Sequence, residues 1–307
     1  MLPRKIIAVY GNDSKNFLQG LITQDINKTD ILTKETQYNA IYSALLTTKG
    51  RYNFDFFLVK ITNELYIIDV HESLAEELLQ QLNFYKLLAK VTCSIIPHLK
   101  VFALTNNSNY LNSSLQDCTN YLTNSLAITK NQNIKTTTCQ IVFQDVRLKK
   151  LGYRVITTNT LPESLTIEDY TVLRYENGVL EYPELIRGKS IPIQCGFDEL
   201  NALCYNKGCY LGQEFTHSAK HKMLIRKRVV PCKLVNISSQ NLSSTLQPDS
   251  KITTIIEGKP AEVGYVLSSF RNYAFVMLNT EYIKAKLYCK NLEIKIFIPS
   301  WLQSKKL

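Results

Sequence analysis

The most informative stretch of this 307-residue sequence is residues 206–214, which read Asn206-Lys207-Gly208-Cys209-Tyr210-Leu211-Gly212-Gln213-Glu214. Two glycines bracket a cysteine and a tyrosine, and glycine permits positive φ angles or a close approach of the backbone to a ligand. Lys207 would favour the thiolate of Cys209 if both side chains lay on one side of the chain. The amide and carboxylate that end the stretch can bond the donors and acceptors of a heterocycle. These residue types fit a ligand-binding turn, or a tight turn before a helix with an inert, buried cysteine.

Four more blocks flank this stretch. They are Phe17-Leu18-Gln19-Gly20-Leu21-Ile22-Thr23-Gln24-Asp25, Lys49-Gly50-Arg51 with Asp55, Leu173-Arg174-Tyr175-Glu176-Asn177-Gly178, and Ile225-Arg226-Lys227-Arg228. In this order, and with Lys-Gly-Cys-Tyr-x-Gly-Gln-Glu at residues 207–214, the blocks resemble those of the YgfZ-type proteins. These are folate-binding proteins of iron–sulfur cluster assembly and repair. They are related to the aminomethyltransferase (T-protein) of the glycine cleavage system.

The resemblance implies an α+β fold, arranged as a three-domain T-protein-like ring. Its folate-binding N-terminal domain would be discontinuous, formed by residues 1–40 and 137–228. An inserted α+β domain would occupy residues 41–136, and a C-terminal β-barrel domain would occupy residues 229–307.

Apolar periodicity gives a separate prediction for the insert. Residues 52–58 alternate as a strand, and a second strand follows over 65–70. Ser73 and Glu76 form a predicted capping box for a helix that continues to residue 90, before a strand at 91–96. Residues 106–136 are rich in Asn, Ser and Thr and predict a loop.

The last eighty or so residues predict an all-β domain. Turn residues separate four strand-like segments, at 252–256, 263–267, 273–278 and 292–298. Several short strands with regular turns are typical of a small barrel. Two further helices are predicted nearer the N-terminus, one capped by Asp13 or Ser14 and one running from Thr166 to Gly178.

The resemblance also implies a cofactor, tetrahydrofolate or its polyglutamylated form. Folate would lie between residues 207–214 and the block at residues 49–55. The residues implied to bind it are Lys207, Gly208, Tyr210, Gly212, Gln213 and Glu214, with Arg51, Asp55 and Glu176. No metal site is implied.

Cys209 is implied to be a functional thiol. Its chemistry alone allows a nucleophile, a ligand of a cluster iron, or a redox-sensitive thiol beside folate. No paired base lies in the same stretch, and one thiolate cannot hold a cluster by itself. We therefore expect an accessible, required thiol whose chemistry is unassigned.

Two departures from the family pattern bear on function. T-protein carries an Asp-Asp pair where this sequence has Phe54-Asp55. The alternative function, folate-dependent aminomethyl transfer, needs a placed carboxylate to handle protons, so the missing carboxylate argues against it. His217-Ser218 stands where the family has a Thr/Ala-Arg pair, so a ligand contact from that arginine would be lost unless Lys220 or Lys222 substitutes for it.

The sequence is basic, with a net charge of +10, and five cations fall within residues 220–228. They are compatible with a solvated face, a phosphate or nucleic-acid patch, or a rim that attracts the polyglutamate tail of a folate. No aromatic residue is interleaved with these charges, which makes direct nucleic-acid binding a poor expectation. Cys204, Cys209, His217 and His221 offer a zinc alternative, but the spacing is unlike that of a zinc finger.

We therefore expect an accessory protein for the assembly or repair of iron–sulfur proteins. Its clients, by resemblance, would be four-iron enzymes, including radical enzymes that modify transfer RNA. Its expected partners are folate and the client proteins or assembly machinery, and we expect a monomer.

The eight cysteines form no Cys-x-x-Cys pair and suggest buried, reduced residues. No apolar run approaches the roughly 20 residues that span a bilayer. We therefore expect no membrane partner and a cytoplasmic location, or the mitochondrial matrix in a eukaryote.

Overall fold

The computed structural model describes residues 1–31, 38–106, 118–119, 121–123, 138–222, 225–235, 246–290 and 292–303. The strands are β1 (Arg4–Tyr10), β2 (Ala40–Leu46), β3 (Tyr52–Lys60), β4 (Leu65–His71), β5 (Thr92–Ile96), β6 (Lys100–Leu104), β7 (Gln140–Gln144), β8 (Tyr153–Thr157), β9 (Lys227–Leu234), β10 (Lys251–Ile256), β11 (Lys259–Phe270), β12 (Tyr273–Asn279), β13 (Leu287–Cys289) and β14 (Leu292–Ile296). The helices are α1 (Ser14–Gln19), α2 (Glu72–Tyr85), α3 (Ile167–Glu176), α4 (Gln213–Lys222) and α5 (Ser300–Gln303).

The described chain forms two compact units. The first contains Met1–Ile167 and Leu200–Gln213, and the second contains Glu168–Glu199 and Glu214–Leu307. These units do not coincide with the predicted domain boundaries. β1 pairs with both β4 and β5, so one sheet crosses the boundary predicted between residues 40 and 41.

The first unit is built on two antiparallel sheets. A five-stranded sheet has the order β2-β3-β4-β1-β5, and a three-stranded sheet has the order β6-β8-β7. α2 packs on β1, β4 and β5. Its inner face carries Leu74, Leu78 and Leu82, which are all buried. The predicted strand–strand–helix–strand unit is confirmed, with β1 inserted in its middle.

A charged cluster is enclosed in this unit. The Asp69 carboxylate accepts hydrogen bonds from Arg4 Nε at 2.6 Å and from an Arg154 guanidinium nitrogen at 2.9 Å. All three side chains are almost fully buried. The guanidinium of Arg154 also lies 4.1 Å from the centre of the Phe57 ring. These bonds tie β1 and β4 to β8, because each strand contributes one of the charges.

Of the two predicted N-terminal caps, the one at Asp13 is confirmed in position and the one at Ser73 is wrong. Ser73 lies inside α2, and the N-cap is His71, whose Nδ1 accepts a hydrogen bond from the Ser73 N–H at 3.3 Å. β4 continues to His71, so the helix begins directly after the strand and the Ser73–Glu76 capping box is wrong. Asp13 is the N-cap residue of α1 without a side-chain capping bond. Its carboxylate instead accepts a hydrogen bond from the Lys90 N–H at 2.8 Å.

The second unit contains a closed barrel with strand order β10-β11-β12-β9-β14-β13. Its core holds Val230, Val266, Val276 and Leu287, each fully buried. The predicted barrel is therefore confirmed. The sequence patterns missed β9, which begins inside the cationic segment at Lys227, and β13, which has only three residues. The predicted loop at residues 106–136 lies mostly outside the described residues.

Candidate functional site

Residues 207–212 form a turn that leads directly into α4. The side-chain oxygen of Gln213 accepts a hydrogen bond from the Tyr210 N–H at 3.0 Å, and the Gln213 N–H donates to the Tyr210 carbonyl at 3.2 Å. The amide predicted to read a heterocycle therefore closes the turn. Tyr210 is buried, whereas Gly208 and Cys209 are exposed.

The Lys207 ammonium lies among backbone carbonyls of the Phe17–Asp25 block. Its Nζ donates to the carbonyl oxygens of Gln19 and Ile22 at 2.7 Å each, and to that of Gln24 at 3.0 Å. Burial lowers the pKa of Lys207 to about 8, and the nearby Asp25 carboxylate acts in the opposite direction. An ammonium has three N–H donors, so each carbonyl receives one. Lys207 can act on a ligand only by holding this turn in place, because its donors are engaged.

Further hydrogen bonds join the same two segments, residues 17–25 and residues 202–212, on both sides of Lys207. We call this set of contacts the Lys207 junction. The Cys204 N–H donates to the Thr23 carbonyl at 3.0 Å, and the Leu211 N–H donates to the Gly20 carbonyl at 3.2 Å. The Thr23 hydroxyl donates to the Ala202 carbonyl at 2.6 Å. Two blocks almost two hundred residues apart in sequence are therefore joined through their main chains.

Gly212 lies where the turn at residues 207–212 contacts residues 47–50. Its φ is +77°, and a Cβ built there would lie 2.4 Å from the Thr47 carbonyl oxygen and 3.1 Å from Gly50 Cα. The Thr47 N–H in turn donates to the Arg51 carbonyl at 2.8 Å, which closes the β2–β3 turn. This direct approach occupies the space at Gly212 where folate was predicted. Among the described residues other than its two chain neighbours, no heavy atom lies within 4 Å of a Cβ built on Gly208.

Cys209 is the only exposed thiol of the eight cysteines; six are buried and Cys204 is half-buried. The expectation that most of the cysteines are buried core residues is confirmed for those six. Within the described part of the chain, no three His, Cys, Asp or Glu side chains are placed to hold a metal ion. His221, one member of the zinc alternative, has a side chain outside the described set.

The carboxylate of Asp55 is enclosed by tyrosines. It accepts hydrogen bonds from the Tyr52 hydroxyl at 2.6 Å and from the Tyr42 hydroxyl at 3.0 Å, and the residue is 2% exposed. Burial and this carboxylate raise the pKa of Tyr52 well above its ordinary value. Phe54, at the position of the missing carboxylate, is fully buried. Position 54 therefore has no carboxylate, and the carboxylate at position 55 is not exposed for proton transfer.

Arg51, another predicted ligand, is half-buried in the first unit, and the predicted ligands Glu176 and Glu214 lie in the second unit. Glu176 is exposed and accepts a hydrogen bond from the Tyr273 hydroxyl at 2.8 Å. Burial and Glu176 raise the pKa of Tyr273 to about 12. Glu214 is exposed at the start of α4. The cationic segment is not one surface, because Arg228 is buried and paired with Glu199.

A cavity of about 650 Å³ lies in the first unit. Its walls come from residues 38–42 around β2, from residues 143–149 after β7, and from Gln24, Lys28, Ile31 and Asn201. The Arg147 guanidinium pairs with Asp145 at 2.7 Å and lies 5.0 Å from the Tyr42 ring centre. The sequence reasoning missed this cavity. Gln24 was its one signal, since it belongs to the Phe17–Asp25 block.

Comparison with solved structures identifies the class of fold. The chain is similar to the glycine cleavage system aminomethyltransferase T from Bartonella henselae, with a TM-score of 0.63 over 99% of this chain and 85% of that one. Sequence identity is 14%, so the likeness concerns the fold alone. Residues 226–304 match the family model of the CAF17 C-terminal beta-barrel domain. The protein thus has the aminomethyltransferase T-like fold implied by the resemblance, with a C-terminal closed barrel.

Comparison of sequences finds similarity to a narrower group of proteins. It is 25% identical over 317 aligned residues to the mouse protein "Iron-sulfur cluster assembly factor IBA57, mitochondrial", which covers 97% of this chain and 83% of that protein. It is 28% identical to the Aspergillus oryzae homologue and 29% identical to the Neurospora crassa homologue, over 80% and 75% of this chain. The chain spans only 58% and 52% of the lengths of those fungal proteins. Within the described residues, no helix is long and apolar enough to cross a membrane.

The Lys207 junction predicts a stability effect. Replacing Lys207 with Met leaves three carbonyls without their charged donor, so we expect unfolding to become easier by about 2–4 kcal/mol. We also expect faster amide hydrogen exchange across residues 17–25. Urea unfolding followed by circular dichroism, with hydrogen-exchange mass spectrometry, measures both. Lys220→Met is the control, since that ammonium is 3.8 Å from Asp198 with its side chain 40% exposed. Equal amide hydrogen exchange across residues 17–25 in both variants would contradict the stabilising role of the Lys207 hydrogen bonds.

Alanine substitutions at the two glycines of the turn should affect stability to different extents. Gly212→Ala adds a Cβ against the Thr47 carbonyl at a positive φ, so we expect a loss of about 2–3 kcal/mol in unfolding free energy. Gly208→Ala has open space and should change stability by less than about 1 kcal/mol. Thermal unfolding of the two variants side by side tests the difference. Similar melting temperatures would show that the approach of residues 207–212 to the β2–β3 turn does not constrain the fold.

Proposed function

We propose that this protein is an accessory factor for the assembly or repair of iron–sulfur proteins. Its named relatives are iron–sulfur cluster assembly factors, and the alignment with the mouse protein extends over 97% of this chain. The structural observation that carries the proposal is Cys209, the one exposed thiol, on a turn fixed by the Lys207 junction. Thiolates are the usual protein ligands of iron–sulfur clusters. A single thiolate needs ligands from a second protein, which suits a transient role in cluster transfer.

The clients we propose are proteins with four-iron clusters, including the radical enzymes that modify transfer RNA. This part of the proposal rests on the resemblance of residues 207–214 to the YgfZ-type blocks. No covalent step on this chain is required by it.

We further propose that tetrahydrofolate binds in the cavity of the first unit. The volume of about 650 Å³ falls within the usual range for a small-molecule site. Tyr42 and Phe143 supply aromatic walls, and the amides of Asn39, Gln144 and Asn201 line the same space. Such a mixture suits a flat heterocycle with donors and acceptors on its edge. Residues 207–214 would then act through Gln24, whose carbonyl is held by Lys207 and whose side chain lines the cavity.

Two lysines also line this cavity. Lys28 and Lys149 are both exposed. Cations in these positions would attract the glutamate tail of a folate, and more strongly when the tail is longer. They replace the cationic segment at residues 220–228 as the proposed site for that tail.

The alternative function, aminomethyl transfer, has the likeness of fold in its favour but not the geometry of the carboxylate. Phe54 occupies the position of a carboxylate in T-protein, and Asp55 is closed off by two tyrosine hydroxyls. A general acid or base must reach the proton that it transfers, directly or through one water molecule.

The iron–sulfur role predicts a specific dependence on one thiol. In cells lacking their own factor of this kind, expression of this chain should restore the activity of a four-iron enzyme. Cys209→Ser should lose most of that activity, because the exposed sulfur is removed without disturbing the core. Cys204→Ser, a half-buried cysteine in the same segment, should retain it. Full activity of Cys209→Ser at equal protein levels would exclude the role of the thiol.

The folate proposal predicts that filling the cavity abolishes binding. Val146 is half-buried and lines the cavity, so Val146→Trp should raise the Kd for tetrahydrofolate at least tenfold in calorimetric titration. Val235→Trp, at a half-buried valine of the second unit, is the control and should bind normally. In Lys28→Ala/Lys149→Ala, affinity for a polyglutamylated folate should fall about two- to fivefold per lysine. Unchanged binding by Val146→Trp would place folate elsewhere or nowhere.

A further inference from the structure

The turn that follows α2 exposes an unusual amount of apolar surface. Phe84 is 71% exposed, Leu87 is 84% exposed and Leu88 is 98% exposed. They lie within five residues, whereas most other exposed large apolar side chains of the described chain are scattered singly. Single exposed apolar residues are ordinary, but a cluster points to a contact with another apolar phase.

The conformation of Leu87 argues against a folding role for this surface. Its φ is +45°, a left-handed backbone conformation that disfavours a leucine. The side chain recovers nothing by burial, because it faces solvent. Glycine or asparagine would satisfy the same turn with less strain. Neither the backbone nor the core therefore accounts for a leucine at this position.

The sequence of the turn itself carries only positive charges. Lys86 and Lys90 flank the two leucines, and the sequence has no acidic residue between Glu77 and Asp117. The Asp13 carboxylate accepts the Lys90 backbone N–H and so anchors the base of the turn. An apolar tip with flanking lysines complements a surface that is apolar below and anionic above, which describes the headgroup region of an anionic bilayer.

Two other occupants fit less well. A second copy of this chain would bring Lys86 and Lys90 against their own equivalents, with no carboxylate in this segment to pair with them. A stable protein interface buries about 800 Å² on each partner, which three side chains on a convex turn do not supply. Insertion into lipid needs no such area, because each apolar side chain contributes separately.

We propose that Phe84, Leu87 and Leu88, flanked by Lys86 and Lys90, form a tip that docks reversibly on anionic membrane surfaces. The docking is independent of the iron–sulfur and folate proposals. The expectation of no membrane partner rested on the absence of a spanning segment. A turn that enters one leaflet needs none.

Sedimentation with vesicles of phosphatidylcholine, alone or mixed with phosphatidylglycerol, tests the proposal on the full chain. We expect binding to the mixed vesicles. Leu87→Asn/Leu88→Ser should weaken it about a hundredfold, since each leucine inserted into lipid accounts for about tenfold. Lys86→Gln/Lys90→Gln should weaken binding about fivefold per lysine on the mixed vesicles only. Ile255→Ser, at a β10 residue that is 60% exposed, is the control and should bind normally.

Three results would overturn the proposal. They are no binding of the unaltered protein to mixed vesicles, unchanged binding by the double leucine variant, and self-association through the same leucines in sedimentation velocity without lipid. Misfolding is separated from loss of docking by thermal unfolding. Leu87→Asn relieves a strained leucine, so the double variant should melt no lower than the unaltered protein.

Discussion

The ammonium of Lys207 is the interaction on which the rest of the first unit's site depends. It joins the turn at residues 207–212 to three carbonyls of the Phe17–Asp25 block, which lies 183 to 188 residues earlier in the chain. Hydrogen bonds from a charged donor are stronger than neutral ones. Once these bonds form, the position of Gln24 beside the cavity and that of Cys209 in solvent are both set by one charge. The glycine at 212 completes the arrangement, because no other residue lets the turn approach the Thr47 carbonyl so closely.

Short-range patterns predicted the elements well where burial has a simple period. The alternation at residues 52–58 and the strand-like segments after residue 250 became β3 and most of the barrel, since one face of each strand packs inward. The Ser73–Glu76 box failed because β4 extends to His71, a tertiary feature that the local motif does not contain. β1 could not be placed beside β4 and β5 from its own residues, because its pairing partners lie more than fifty residues away in the sequence.

The candidate site shows the same limit more sharply. Residues 207–214 were recognised as the informative segment, but their roles follow from partners far away in the sequence. Lys207 and Gln213 look like ligand-binding groups when read alone, and both are engaged within the protein. The cavity was missed because Tyr42, Arg147 and Lys149 belong to no recognisable motif. They are brought together only when β2 and the segment after β7 meet in three dimensions.

The carboxylate of Asp55 is enclosed by hydroxyl groups at the block where T-protein carries an Asp-Asp pair. A buried carboxylate without hydrogen-bond donors is costly, so Asp55 needs donors in its enclosed position. The hydroxyls of Tyr42 and Tyr52 supply them. Tyr42 also lines the cavity, so the group that satisfies Asp55 shapes the space proposed for folate. A folate bound there would stabilise the Phe17–Asp25 block, whose carbonyls accept the hydrogen bonds of Lys207. By linkage it would also favour the conformation that presents Cys209. In that arrangement a bound folate would act as a structural ligand that supports the thiol.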